Sequence, residues 1–364
     1  MDSLTHALIG AVVGQLGFRQ RIGRETTWVM AGAAMLPDLD TLAAPLMNLS
    51  GVEVDGLTRM TIHRGISHSL LAVPLIALPV AVLWWWARRR WSQTRRVEAD
   101  AAAMRPRRFW LLYLAVLAAA VCHPLLDWCT SYGTQLIAPI TNVRLSLDAI
   151  PIIDILFTPL LVVTLLACFV VRIIRRGVAA RATLIIGWVG FALAVGYITA
   201  GRMMHDVAVR RALAMAGGAP VVGAGAYPSV GSIFLWRGVV RTADGWEVSR
   251  QNVLFGPSGR PNTAGQAENE WVDRANELED AKTWWWFAQG QVRTVYSRRD
   301  GLHIVELHDM RYGLTADGVQ SLWALRVTFD QDAPDSPRVE RVMGFRGLSR
   351  REMLRRAWGD LWRR

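Results

Sequence analysis

Residues 63–90 read HRGISHSLLAVPLIALPVAVLWWWARRR: two histidines, an arginine and small hydroxyls, then an apolar run, then tryptophans and arginines. An apolar run ending in an aromatic and basic belt is the pattern of a membrane span anchored at its cytoplasmic interface. The polar start is the unusual part, because ionisable groups at membrane depth cost roughly 2.5–3.5 kcal/mol each and need company.

Other stretches repeat the theme. Apolar runs cover residues 4–18, 27–47, 66–87, 109–128, 150–171 and 182–200, against the roughly 20 residues that a span requires. Taken as six crossings, they predict a membrane α-helical bundle of about six apolar helices over residues 1–202. Arginines follow the first run (Arg19, Arg21, Arg24), fill the 88–108 connection (among them Arg95, Arg96 and Arg105) and join the last two runs. Those loops are therefore expected on the cytoplasmic side, which puts the N-terminus and everything beyond residue 200 outside.

From residue 203 the composition changes. The glycine- and proline-rich GGAPVVGAGAYP leads into short alternating segments such as RTVYSRR and LHIVELHDMRYG, the signature of a strand-rich α+β soluble domain over 203–364. The end, SRREMLRRAWGDLWRR, sets Met353, Leu354, Trp358, Leu361 and Trp362 at helical spacing among arginines, as in a helix packed on the domain or lying on anionic lipid.

A net charge of +11 in a chain that is 52% hydrophobic belongs here to the flanks of apolar runs, not to a nucleic-acid surface. The start has no basic n-region and is not read as a cleaved signal peptide. Cys122, Cys129 and Cys168 have no C-x-x-C spacing, so neither a disulfide framework nor a thiolate zinc site is expected.

Counting along ideal helices from the basic flanks puts His6, Asp38, His68, His123, Asp127 and Asp154 about 20–30 Å from the arginines, in the outer part of the bilayer. HPLLD sets His123 and Asp127 at i and i+4, on one helical face. LPDLD breaks its helix at Pro37 and offers Asp38 and Asp40 from irregular backbone. His63 and His68 are about 140° apart on a helix and share an ion only if His63 precedes it, in which case Ser67 would cap the helix. Imidazole and carboxylate are ligands that zinc accepts, and their convergence predicts a shared site for one or two divalent ions, zinc first. His303 and His308 fall on opposite faces of a strand and are read as structural or surface residues, as is His205.

At these residues the chain resembles the YdjM/YbcI-type membrane-bound metal-dependent hydrolases. The ordered blocks are MDSLTHALIGAVVG, LPDLD, HRGISHSL, HPLLDWCTSYGTQLIAP and RLSLDAIPIIDILFTP, within residues 1–160. That family is similar, more distantly, to zinc-dependent phospholipase C, whose His-x-x-x-Asp pair corresponds to His123 and Asp127. The N-terminal tryptophan and second His-x-x-x-Glu pair of that group are missing here.

The expected ligands are His6, Asp38, His63, His68, His123, Asp127 and Asp154, with Asp40 and Asp154 either ligating or orienting ligands. The first-rank candidates, His6, Asp38, His63, His68, His123 and Asp127 with Asp40 as the seventh, exceed the three protein ligands of a mononuclear catalytic zinc, which favours two ions or a separate general base. Arg64 and Asp40 are the candidate catalytic residues, Arg64 as a phosphate-binding guanidinium or as a membrane-edge salt-bridge partner. The expected function is hydrolysis of an amphiphilic phosphoester by activated water at the outer face of a bacterial inner membrane, with lipids and no nucleic acid as partners. The alternatives are a non-catalytic adaptor or stress-response protein stapled by a metal, and an intramembrane metalloprotease, although no His-Glu-x-x-His is present.

Overall fold

The computed structural model describes residues 1–51, 54–94, 106–175, 179–218, 220–333, 335–344 and 349–362; Arg95, Arg96 and Arg105 lie outside them. In chain order the helices of the N-terminal part are α1 (Ser3–Val13), α2 (Arg19–Ile22), α3 (Thr26–Ala33), α4 (Ala43–Leu49), α5 (Gly56–Ile62), α6 (Val73–Thr94), α7 (Pro106–Trp128), α8 (Phe157–Ile174) and α9 (Ala179–Met215). The chain forms two compact units. The first comprises Met1–Val52, Ile62–Ser146 and Ile155–Ile198, and the second Glu53–Thr61, Leu147–Asp154 and Thr199–Arg364.

Among the described residues three helical segments are long and apolar enough to cross a membrane: Arg108–Trp128, Phe157–Ile174 and Ala179–Met215. A fourth counts if Gly56–His68 and Val73–Arg90, bent by 70° at a break, form one span. Against the expectation of about six, the described residues thus supply three or four. α1 and α3, at 11 and 8 residues, reach only about 16 and 12 Å at 1.5 Å per residue, short of a hydrocarbon core of about 30 Å. The physical reasons are local. Gly17 leaves helical geometry at φ 119° inside the π-turn Gly14–Phe18, and α3 gives way to a 3₁₀ turn that starts at Pro37.

Small residues let the first unit's helices approach closely. Ala33, Ala34, Ala77, Ala81, Ala115 and Ala119 are buried in one cluster with Val13, Met30 and Leu112, drawn from α1, α3, α6 and α7. A Cβ on Gly10 of α1 would overlap the Met30 carbonyl, and one on Gly190 of α9 would overlap Thr164 of α8; such contacts are how helices pack where no hydrophobic effect drives them together. Leu75, Leu83, Leu166, Phe169 and Leu193 remain exposed, as a lipid-facing surface requires.

In the second unit β1 (Val221–Pro228), β2 (Leu235–Thr242), β3 (Gly245–Asn252) and β4 (Gly256–Ala264) form one antiparallel meander, and β5 (Val292–Arg299), β6 (Leu302–Asp309), β7 (Trp323–Asp330) and β8 (Arg338–Met343) form another. Between the sheets in sequence stand α10 (Glu270–Glu277) and α11 (Glu279–Phe287), and α12 (Arg350–Trp362) closes the chain. The two sheets account for the alternating sequence beyond residue 203. On α12, Trp358 is exposed, while Asp360 accepts from the buried Arg250.

HDMRYG is structural. Met310 is buried with Tyr227, Val239, Trp246 and Val248, and Asp309 pairs with Arg311 at 2.7 Å with both side chains buried. Burial acts to lower the Arg311 pKa, and the Asp309 carboxylate more than reverses it, leaving the guanidinium firmly charged. His303 stacks on Trp271 at 3.8 Å, and His308 lies between Ser321 and Glu306.

Candidate metal centre

Four segments of the first unit supply the site. α1 starts cleanly because Asp2 caps it, accepting from the Thr5 backbone N–H at 3.0 Å and the Thr5 hydroxyl at 2.6 Å; the next residue is His6. The 3₁₀ turn Pro37–Leu42 presents Asp38 and Asp40. Residues 63–69 follow α5 as a tight turn carrying His63, Arg64 and His68, and the last turns of α7 carry His123 and Asp127. Arg64 sits at φ 60°, a left-handed conformation costing about 1–3 kcal/mol outside glycine. It is held there by its own N–H donating to Asp40 at 3.2 Å and its carbonyl accepting from Gln135 at 3.1 Å.

Asp38, His68, His123 and Asp127 form a group able to hold a metal ion. His68 Nε2 and His123 Nε2 are 3.0 Å apart. Asp127 Oδ2 is 3.3 Å from the first and 3.5 Å from the second, while Asp38 Oδ1 is 3.7 and 3.3 Å from them. Ligand atoms at about 2.0–2.1 Å from a tetrahedral zinc-sized ion stand about 3.3 Å from one another, so these five separations describe such a shell.

The tautomers agree. His123 Nδ1 donates to the Ala34 carbonyl at 2.6 Å, and His68 Nδ1 lies 3.3 Å from Asp40 Oδ2 and 2.9 Å from Ser67 Oγ. Each ring therefore turns the lone pair of its Nε2 toward the other, the arrangement by which outer partners fix metal-ligating histidines. Among the described residues Asp127 Oδ2 has no hydrogen-bond partner and is buried, an expensive state for a carboxylate oxygen unless a cation meets it. His68, His123 and Asp127 are almost fully buried, and Asp38 is 17% exposed at the rim.

The other expected residues take surrounding positions. Asp40 accepts from His63 Nδ1 at 3.0 Å and from the Ser67 hydroxyl at 2.6 Å; with His63 and His68 it forms a second, smaller group that could hold an ion. Ser67 therefore bonds Asp40 instead of capping the next helix, which begins at Val73. His6 stacks on His123 at 3.6 Å, with Nε2 3.2 Å from Asp127 Oδ1, and its Nδ1 has no hydrogen-bond partner. The Met1 nitrogen also contacts Asp127 Oδ1. Arg64 is buried and committed to Asp127 at 2.8 Å and Thr130 Oγ1 at 2.9 Å, with its Nε lacking a partner among the described residues. Asp154 belongs to the second unit, where it bridges Gly231 through its backbone, and it is in neither group.

Sequence reading gave no role to Tyr132, 4.6 Å beneath the Arg64 guanidinium, to Thr130, or to Ser3, whose hydroxyl donates to Asp38 at 3.0 Å. Thr130 and Tyr132 follow Asp127 within the HPLLDWCTSYG block, a spacing that could have suggested them. The Ala34 carbonyl leaves no mark in side-chain patterns.

A family model described as YdjM inner membrane protein matches residues 1–204. The chain belongs to that family. No curated protein and no solved structure matches it. The YdjM match spans every residue of the metal group and stops near the end of the last apolar helix, so the second unit's sheets lie beyond it. Its description specifies an inner membrane protein and no reaction.

Proposed function

We propose that this YdjM-family chain is a membrane-bound metal-dependent hydrolase acting on a lipid-like phosphoester, with zinc the first candidate ion and its site and second unit on the outer side of the inner membrane. The observation carrying this reading is the His63–Asp40 pair beside the ligand set. Asp40 accepts from His63 at 3.0 Å, and His63 is 27% exposed while the ligating imidazoles are buried. An imidazole oriented by a carboxylate at the open edge of a metal group is the arrangement of a general base.

A divalent ion in the group would supply Lewis acidity toward water and a phosphoryl oxygen. The chain's own residues do the rest. His63, its Nδ1–H held by Asp40, takes the proton that attacking water loses as oxygen adds to phosphorus and the ester P–O bond breaks, and returns it to the leaving alkoxide. Arg64 holds Asp127 in place and balances its charge. A donor set of imidazole and carboxylate without cysteine supports catalysis, since structural zinc sites favour thiolates. The substrate class rests on the site's place among apolar helices.

One observation favours a second reading, a metal that staples the helices of a non-catalytic adaptor: the four protein atoms would fill a tetrahedral shell. Hydrolysis of a panel of phospholipids and polyprenyl phosphates by metal-loaded protein, read as the alcohol and the phosphomonoester or phosphate released, decides between them. We expect turnover that His63→Ala lowers by about 100-fold or more with metal content retained. Turnover by no member of the panel, with the metal in place, would establish the staple.

A further inference from the structure

Beside α1 the first unit opens a groove of about 840 Å³, walled by Leu8 and Ala11 of α1, Trp28 of α3, and Leu166 and Phe169 of α8. Its size is that of a site for a sizeable ligand, and its walls are apolar. One end differs: Gln15, Arg19, Arg24 and Arg172 line it. Arg19 donates to Thr27 Oγ1 at 2.9 Å and to the Arg24 carbonyl, and Arg172 donates to Gln15 Oε1. Among the described residues none of the three arginines has a carboxylate at ion-pair distance, because Glu25, the acid at that end, is paired with Arg88. Three guanidiniums at the end of an apolar trough complement an anion that carries a hydrocarbon chain.

We infer that the groove holds one lipid of the bilayer whose phosphate headgroup is net anionic, its chain along α1 and its phosphate between Arg19, Arg24 and Arg172. Basic pockets between membrane helices recognise anionic headgroups in this way, and guanidinium suits phosphate by its forked geometry. The site is separate from the metal group: none of Asp38, Asp40, His63, His68, His123 and Asp127 lines the groove. The lipid is therefore a resident of the groove, not the substrate of the proposed reaction, and the inference stands if that reaction fails.

The test uses the full chain in nanodiscs of equimolar phosphatidylglycerol and phosphatidylcholine, followed by mild detergent extraction and mass spectrometry of retained lipid. We expect phosphatidylglycerol to be retained over phosphatidylcholine by about 10-fold or more, given roughly 1 kcal/mol per arginine at a headgroup. Arg19→Gln with Arg172→Gln should lower the preference by about 10-fold or more with unchanged metal content, and Ala11→Trp should expel the lipid by filling the groove. Inorganic phosphate should not displace it, because the chain supplies half of the recognition. Should the double variant fail to fold, the exposed Arg24→Gln carries the same test and should lower the preference a few-fold. Equal retention of both lipids by the wild type, a preference unchanged in the arginine variants, or displacement by inorganic phosphate would overturn the inference.

Discussion

In the second unit Asp309 faces Arg311 at 2.7 Å and Asp360 accepts from Arg250, whereas in the first unit Asp38, Asp40 and Asp127 gather around four imidazoles and the single Arg64 guanidinium. Both places bury charge, and only one of them balances it. Asp309 receives its partner's forked N–H groups on both oxygens, and Asp360 takes a second bond from the Ala316 N–H at 2.7 Å. Around Asp127 one oxygen collects His6, Arg64 and the Met1 nitrogen while the other faces two imidazole nitrogens without a hydrogen bond. Buried charge that serves stability is saturated from within the chain. Buried charge that serves binding leaves a matched set of lone pairs for something else.

This contrast can be broken at several points. The largest effect is expected where the lone pairs converge: His123→Ala and Asp127→Ala should each remove nearly all metal from the purified protein by elemental analysis, while His303→Ala, which alters a stacked ring in the second unit, should remove none. Unchanged stoichiometry in both of the first two variants would make the first unit's cluster another self-contained network. Next comes the balanced pair. Arg311→Met leaves the Asp309 carboxylate buried and uncompensated and should destabilise the second unit by about 3–5 kcal/mol, read by denaturant unfolding, with metal content intact; a loss under 1 kcal/mol would show the pair to be dispensable. The smallest of the three concerns orientation. Asp40→Asn keeps the four nearest ligands but loosens the Nδ1 hydrogen bonds of His63 and His68, and should weaken metal affinity by about 10- to 100-fold in competition titrations with a chelator. A larger loss, equal to that of His123→Ala, would make Asp40 a ligand itself.

How much of this was legible in the sequence follows from what each feature depends on. His123 and Asp127 were placed on one face by their i, i+4 spacing, and the irregular backbone of Asp38 and Asp40 by Pro37, because both are local properties. The strands beyond residue 203 were legible from alternation. The span count was not, because apolarity does not reveal where a helix breaks. Gly17 turns the first stretch at φ 119°, and the second shortens to eight residues before its proline. The division of roles within the cluster was also out of reach. Whether His6 ligates the ion or backs Asp127, and whether Arg64 meets substrate or ligand, depends on contacts between segments up to 126 residues apart. Asp154 has the right chemistry, yet it belongs to the second unit, since a count along a helix says nothing of a residue's partners.

X-ray absorption at the metal edge of zinc-loaded, purified protein tests the central claim most directly. The account predicts one tightly bound ion with nitrogen and oxygen neighbours at about 2.0–2.1 Å, no sulfur neighbour, and the multiple-scattering signature of two imidazole rings, those of His68 and His123, falling to one ring or to loss of the ion in His123→Ala. A protein that retains no zinc, or whose ion shows a solvent-like oxygen shell without imidazole, would contradict it.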